Sequence, residues 1–215
     1  MRLWLIVPVK SLGESKSRLA AVLPAGARAG LMRRLLRHVL TIAQAADCFA
    51  EIMVISRDPQ VWALAHLAGV GVLREDGHTL NAALEQARQA ALGDHAEAIL
   101  VLPADLPQLT VADLDALVAL AQTGPGVVIA PSSMGGTSAL LLRPPDAIPF
   151  AFGVDSFASH CLLAQAADLP CRVHQSPTLA FDVDLPADWV ALQNHVTGYH
   201  GSPCTGSAST PHACR

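Results

Sequence analysis

Two short acidic segments follow apolar runs in this chain, L-P-A-D-L-P from Leu102 to Pro107 and F-D-V-D-L-P from Phe181 to Pro186. Asp105 comes after the run Ala98 to Leu102, and Asp182 and Asp184 come after a short apolar stretch ending at Phe181. Ligands of open α/β sheets bind at the carboxyl ends of strands. Carboxylates gathered at such a place repel one another unless a cation lies between them. The pattern therefore predicts a metal site built from Asp105, Asp182 and Asp184 at two strand ends. Mg²⁺ is the expected ion, because it takes one or two carboxylates and completes its shell with substrate phosphates. Each segment also has a plainer reading. Asp105 suits a Pro-flanked turn before a helix at Val111, and Asp184 suits the start of a helix near Pro186.

A second cluster lies near the amino terminus, where P-V-K-S-L-G-E-S-K-S-R-L spans Pro8 to Leu19. Lys10, Lys16 and Arg18 share this loop with Gly13 and three serines, a composition suited to wrapping a polyphosphate with N–H groups and cations. The G-x-x-x-x-G-K-[ST] spacing is absent, so this is no Walker A loop. Lys16 and Arg18, with Asp105, are the expected catalytic groups, and Lys10 is an expected binding group. A solvated basic loop is the alternative.

Three further segments carry small or polar residues. H-T-L-N-A-A-L, from His78 to Leu84, opens a helix and offers the Asn81 amide as a paired donor and acceptor for a purine edge. A-P-S-S-M-G-G-T-S-A-L-L-L places Ser138 just before an apolar strand. F-G-V-D-S-F-A-S-H supplies Gly153, Ser156 and His160. Hydroxyls beside glycines can approach a phosphate or carboxylate closely, although each segment alone also reads as a turn.

The elements that must position these groups alternate. Strands are expected at Leu3–Val9, Glu51–Ser56, Ala98–Leu102, Val127–Ala130 and Ala139–Leu142, with a weaker one at Val70–Leu73. Apolar spacings of three and four predict helices over Arg28–Ala45, Pro59–Ala68, Thr79–Ala91 and Val111–Ala121. Thr110 and Asp113 form an approximate capping box for the last of these, and Gly124, Pro125 and Gly126 end it. The fold class is α/β, a mostly parallel twisted sheet with helices on both faces.

With 52% hydrophobic and 15% charged residues among 215, one domain over 1–195 is expected. A net charge of -4 excludes a long basic stripe for nucleic acid. No apolar run reaches the roughly 18 residues of a membrane span, and the amino-terminal segment lacks the cleavage site of a signal peptide. Neither nucleic acid nor membrane is an expected partner. Five scattered cysteines fit a reduced cytoplasm. The segment 196–215, rich in Gly, Ser, Thr and Pro, is expected to be a disordered tail. Its His200, Cys204, His212 and Cys214 match no standard metal-site spacing.

Taken in order, the six motifs resemble the 2-phospho-L-lactate guanylyltransferase family, over nearly all of the chain before the tail. The resemblance implies a single-domain nucleotidyltransferase fold related to the molybdenum-cofactor guanylyltransferases. It also implies transfer of GMP from GTP to a phosphorylated three-carbon acid, with release of pyrophosphate, in the biosynthesis of the deazaflavin coenzyme F-420. The acid is 2-phospho-L-lactate, phosphoenolpyruvate or 3-phospho-D-glycerate in different members. Asp105, Asp182 and Asp184 match the family's metal-binding aspartates, and Ser138, Gly153 and Ser156 match positions contacting the acid. Ser138 departs from the Thr or Asn common there, and Ser132 to Met134 replace a more polar stretch, so the preferred acid stays open. A substrate phosphate with its second pKa near 6 needs no dedicated general base. A molybdopterin or sugar nucleotidyltransferase, or a catalytically silent nucleotide-binding module, are the alternatives, and a homodimer is compatible with the chain.

Overall fold

The strand Leu3–Pro8 (β1) has apolar side chains on both faces and can only be central. Leu3, Leu5 and Val7 enter one core with Leu36 and Leu40, while Trp4 and Ile6 enter a second with Leu84 and Ala87. That alternation is the period of two expected of a strand covered on both sides. The computed structural model describes residues 1–77 and 79–198, with the side chains of 195–198 excepted.

The other strands are β2 (Glu51–Ser56), β3 (Gly71–Arg74), β4 (Ala98–Val101), β5 (Gly126–Pro131), β6 (Thr137–Arg143) and β7 (Cys171–Val173). They form one sheet in the order β3-β2-β1-β4-β6-β5-β7. β1, β2, β3 and β4 run parallel, β6 is antiparallel to both β4 and β5, and β7 is parallel to β5. The helices are α1 (Ala25–Ala46), α2 (Pro59–Leu67), α3 (Leu80–Gly93), α4 (Val111–Gln122), α5 (Ser156–Ala166), α6 (Pro177–Ala180) and α7 (Pro186–Gly198). α1 and α4 cover one face and α3 and α5 the other.

This order fixes which ends meet. The carboxyl ends of four parallel strands lie at one edge, and the antiparallel β6 brings its amino end, Thr137 and Ser138, to the same edge. Ser138 is thus the second residue of β6 and not a loop residue before it. In the hairpin between β5 and β6 the Ser132 N–H donates to the Gly136 carbonyl and the Gly136 N–H donates to Ser132 Oγ, both at 3.0 Å, and Gly135 there has φ of 75°, a left-handed conformation natural to glycine.

The structure adds three elements to the expected set, α5, β7 and α6. It also corrects the placement of Asp182 and Asp184, which follow the short helix α6 and precede α7 instead of ending a strand. α6 is held by Asp113, whose carboxylate accepts from the hydroxyls of Ser176 and Thr178 at 2.6 and 2.7 Å. The capping box of Thr110 and Asp113 forms as expected. α7 begins at Pro186 and runs to Gly198, past the expected domain end at 195. The expected tail beyond 198, with its Cys and His residues, and His78 lie outside the described residues.

Candidate active site

A cavity of about 810 Å³ opens over the carboxyl edge of the sheet, within the range typical of small-ligand sites. The loop after β1 supplies Lys10, Lys16 and Arg18, the loop after β4 supplies Asp105, and the segment between α6 and α7 supplies Asp182 and Asp184. Thr137 and Ser138 of β6, Gly153, and Ser156 at the start of α5 line it as well. Every expected site residue except Asn81 therefore reaches one cavity.

The basic loop and the carboxylates are in direct contact. Lys16 has φ of 57°, which turns its side chain inward. Its ammonium group, 5% exposed, lies 2.6 Å from Asp105 Oδ2 and 3.7 Å from Asp184 Oδ1. Arg18 Nη1 donates to Asp184 Oδ2 at 2.7 Å. The Val183 N–H donates to the Asp105 carbonyl at 3.4 Å, which ties the two acidic segments together through the backbone. Burial raises the Asp182 carboxyl above its ordinary range, and the neighbouring Asp105 carboxylate raises it further. Asp182 and Asp105 are thus close enough to repel, and Lys16 supplies positive charge between them. Lys10 lies exposed at the cavity wall with no ion pair among the described residues.

A hydrated or phosphate-bound divalent cation suits this donor set. All three donors are hard carboxylate oxygens, and Asp182, raised first by burial and then by the Asp105 charge, would be relieved of that repulsion by a cation. Among the described residues no group of three His, Cys, Asp or Glu side chains is already arranged as a complete cage. Mg²⁺ needs no such cage, since waters and phosphates fill most of its shell.

The residues that β6 and the start of α5 bring to the cavity are uncharged. Ser138 is 3% exposed and its hydroxyl has no hydrogen-bond partner among the described residues. An unpaired buried hydroxyl costs free energy unless a ligand satisfies it. Ser156 Oγ donates to Thr137 Oγ1 at 3.0 Å, and Thr137 Oγ1 lies 3.1 Å from Nδ1 of the fully buried His160. Burial pushes His160 down to about 4, against a smaller upward pull from the Ser156 backbone. A Cβ on Gly136 would meet Ser132 Oγ at 2.7 Å, so a larger residue would displace the hydroxyl that accepts from the Gly136 N–H at 3.0 Å.

Asn81 needs a correction. Its Nδ2 donates to the Phe152 carbonyl at 3.1 Å and its Oδ1 accepts from the Phe152 N–H at 2.9 Å. These two bonds make Asn81 an anchor for the segment carrying Phe152 and Gly153, and Asn81 itself is not among the residues lining the cavity. Four residues in or beside the cavity have roles that the sequence does not assign. Thr137 and His160 stand within quoted motifs, but their role needs β6 and α5 side by side. Arg57 and Glu75, paired at 2.9 Å in the cavity wall, each follow the last residue of a parallel strand, and that position is the signal that would have found them.

The chain is similar to known proteins of one family and one fold. The family model described as guanylyl transferase CofC-like matches residues 3–203. A phosphoenolpyruvate guanylyltransferase of Rubrobacter xylanophilus is 45% identical over 194 residues, covering 90% of this chain and 94% of the relative. One from Sphaerobacter thermophilus is 43% identical, covering 88% and 92%. A 3-phospho-D-glycerate guanylyltransferase of Colwellia psychrerythraea is 31% identical, covering 87% and 90%. Among solved structures, a protein of Desulfovibrio desulfuricans described as a nucleotide-diphospho-sugar transferase superposes with a TM-score of 0.74 at 18% identity, covering 94% of this chain and 92% of that one. A CMP:2-keto-3-deoxy-manno-octonic acid synthetase complexed with CTP superposes with a TM-score of 0.65 at 13% identity, covering 93% and 100%. At these identities the two structures speak for the fold alone.

Proposed function

The chain belongs to the CofC-like guanylyl transferase family, and from that premise we propose that it transfers GMP from GTP to a phosphorylated three-carbon acid, releasing pyrophosphate. Phosphoenolpyruvate is the acid we favour, because the relatives at 43 to 45% identity carry that name and the 3-phospho-D-glycerate relative stands at 31%. The observation that carries the reading is that one cavity gathers charged residues and, from β6 and α5, hydroxyls. Lys16, Arg18 and the three aspartates suit a triphosphate with its cation, while the unpaired Ser138 hydroxyl suits a second, smaller anion.

The chemistry follows from charge and placement. An oxygen of the acid's phosphate attacks the α-phosphorus of GTP in line. A new P–O bond joins the two phosphates, and the bond to the bridging oxygen of the β-phosphate breaks, its electron pair leaving with pyrophosphate. The attacking phosphate is largely ionised at neutral pH, so no side chain has to remove a proton. Lys16 and Arg18 stabilise the charge that develops on the transferring group. Asp105, Asp182 and Asp184 would hold Mg²⁺, which when bound supplies charge neutralisation and alignment of the phosphates. Ser138, Gly153 and Ser156 orient the acid. The product class fits a precursor of coenzyme F-420.

A panel pairing each nucleoside triphosphate with each acid, with Mg²⁺ and pyrophosphate detection, tests this reading. Turnover is expected with GTP and phosphoenolpyruvate above the other acids. Turnover only with a sugar phosphate or a pterin acceptor would contradict it.

A further inference from the structure

Beside the cavity hydroxyls of β6 and α5, His160 on α5 reaches two other elements. The Ala151 N–H donates to Nε2 at 3.0 Å, and Nδ1 faces Thr137 Oγ1 at 3.1 Å. A backbone amide can only donate, so Nε2 presents a lone pair, and a neutral ring must then carry its proton on Nδ1. The ring is fully buried, and the edge of Phe152 packs on it at 4.9 Å between centroids, which favours the neutral form.

That tautomer decides a proton count. The His160–Thr137 contact uses the Nδ1 proton, with Thr137 accepting. Thr137 and Ser156 then hold two hydroxyl protons for the single 3.0 Å contact between them. One proton is left over, whichever hydroxyl donates, and both residues line the cavity. In the other tautomer Thr137 would donate to the ring, Ser156 would donate to Thr137, and no proton would remain.

We propose that the Thr137–Ser156 hydroxyl pair presents one hydrogen-bond donor to the anionic acid beside Ser138, that Thr137 is therefore a binding residue for the acid, and that His160 is the positioning residue that guarantees the donor. The inference rests on the acid-binding reading above and deepens it. His160 touches no substrate; it acts by closing off one acceptor on Thr137 and by holding the Ala151 backbone.

The first test is nitrogen-15 NMR of the unmodified full chain with labelled histidine, the His160 signals being assigned by their loss in His160→Gln. A proton on Nδ1 and a bare Nε2 are expected, and a proton on Nε2 overturns the proposal. The second test is steady-state kinetics of Thr137→Val, which keeps the shape and removes the hydroxyl. The Michaelis constant for the acid should rise at least about tenfold while that for GTP stays within about twofold. Thr137→Ser, which restores the donor, should return the acid constant to within about threefold of the parent. An unchanged acid constant in Thr137→Val, or equal rises for both substrates, overturns the proposal. A parent protein inert toward every acid would instead sink the guanylyl-transfer reading, and the tautomer would still decide the proton count on its own.

Discussion

Lys16 and Asp182 illustrate how the same charges serve the resting protein and the reaction. With the Lys16 ammonium between Asp105 and Asp184, the carboxylates are partly neutralised, whereas Asp182 stays above its ordinary range through burial and the nearby Asp105. Two amide substitutions should therefore part company. Asp105→Asn leaves a buried ammonium with only the 3.7 Å contact and should lower the melting temperature as well as cut Mg²⁺-dependent turnover at least about a hundredfold. Asp182→Asn removes a raised carboxylate and should raise the melting temperature of the metal-free protein at neutral pH while also weakening Mg²⁺. Calorimetry with and without Mg²⁺ reads both. A lower melting temperature for Asp182→Asn would mean that this carboxylate is not electrostatically strained. His160 supplies a pH dependence of its own. Its folded pKa lies near 4 and its ordinary value at 6.5, so between these values the unfolded chain binds the extra proton and stability is lost as pH falls. The loss should amount to about 3 kcal/mol by pH 4 and level off below it. Urea titrations of the parent and of His160→Gln across that window check it, because the variant should lack this slope.

The elements that were easiest to read in the sequence are those whose local chemistry agrees with their packing. β2 occupies Glu51–Ser56, the same residues its apolar run predicts. α4 begins where Thr110 and Asp113 cap it. α5 carries little local signal: Asp155 at its amino end is left-handed and makes no capping bond, and Leu162 is an apolar residue on its exposed face at 65% exposure. β7 has three residues and no fully buried side chain. The site suffered the same limits. Asp105, Asp182, Asp184 and the basic loop stand out by composition, but the partnership of Thr137, Ser156 and His160 depends on an antiparallel β6 beside a helix that has no clear local signal. Asn81 has the right chemistry for a base edge, yet only the tertiary structure reveals that it anchors the Phe152 backbone. Asp113 belongs to this scale too. It is 6% exposed, and it caps α4 while gathering Ser176 and Thr178 of α6, the helix that delivers Asp182 and Asp184. Burial opposes its ionisation, but the hydroxyls of Ser176, Thr110 and Thr178 bring the carboxyl below its ordinary value. Asp113→Ala should cost about 2–4 kcal/mol in chemical denaturation, and it should reduce Mg²⁺ affinity although Asp113 touches no substrate. Unchanged Mg²⁺ affinity in a folded variant would show that α6 does not position the acidic segment.

At the scale of the molecule, a chain of net charge -4 gathers Lys10, Lys16, Arg18 and Arg57 around one cavity together with the carboxylates of Glu14, Glu75, Asp105, Asp182 and Asp184, so its attraction for anions depends on a cation offsetting those carboxylates. No helix among the described residues is long and apolar enough to cross a membrane. Two anionic substrates meeting at one edge, joined without a covalent enzyme intermediate, is the simplest use of this arrangement. The bond formed tests it most directly. Phosphorus-31 NMR of the protein with GTP, phosphoenolpyruvate and Mg²⁺ should reveal a new unsymmetrical diphosphate, two mutually coupled phosphorus signals, growing in step with free pyrophosphate. Release of GDP and inorganic phosphate, or of GMP with the acid's phosphorus signal unchanged, would contradict guanylyl transfer to the acid.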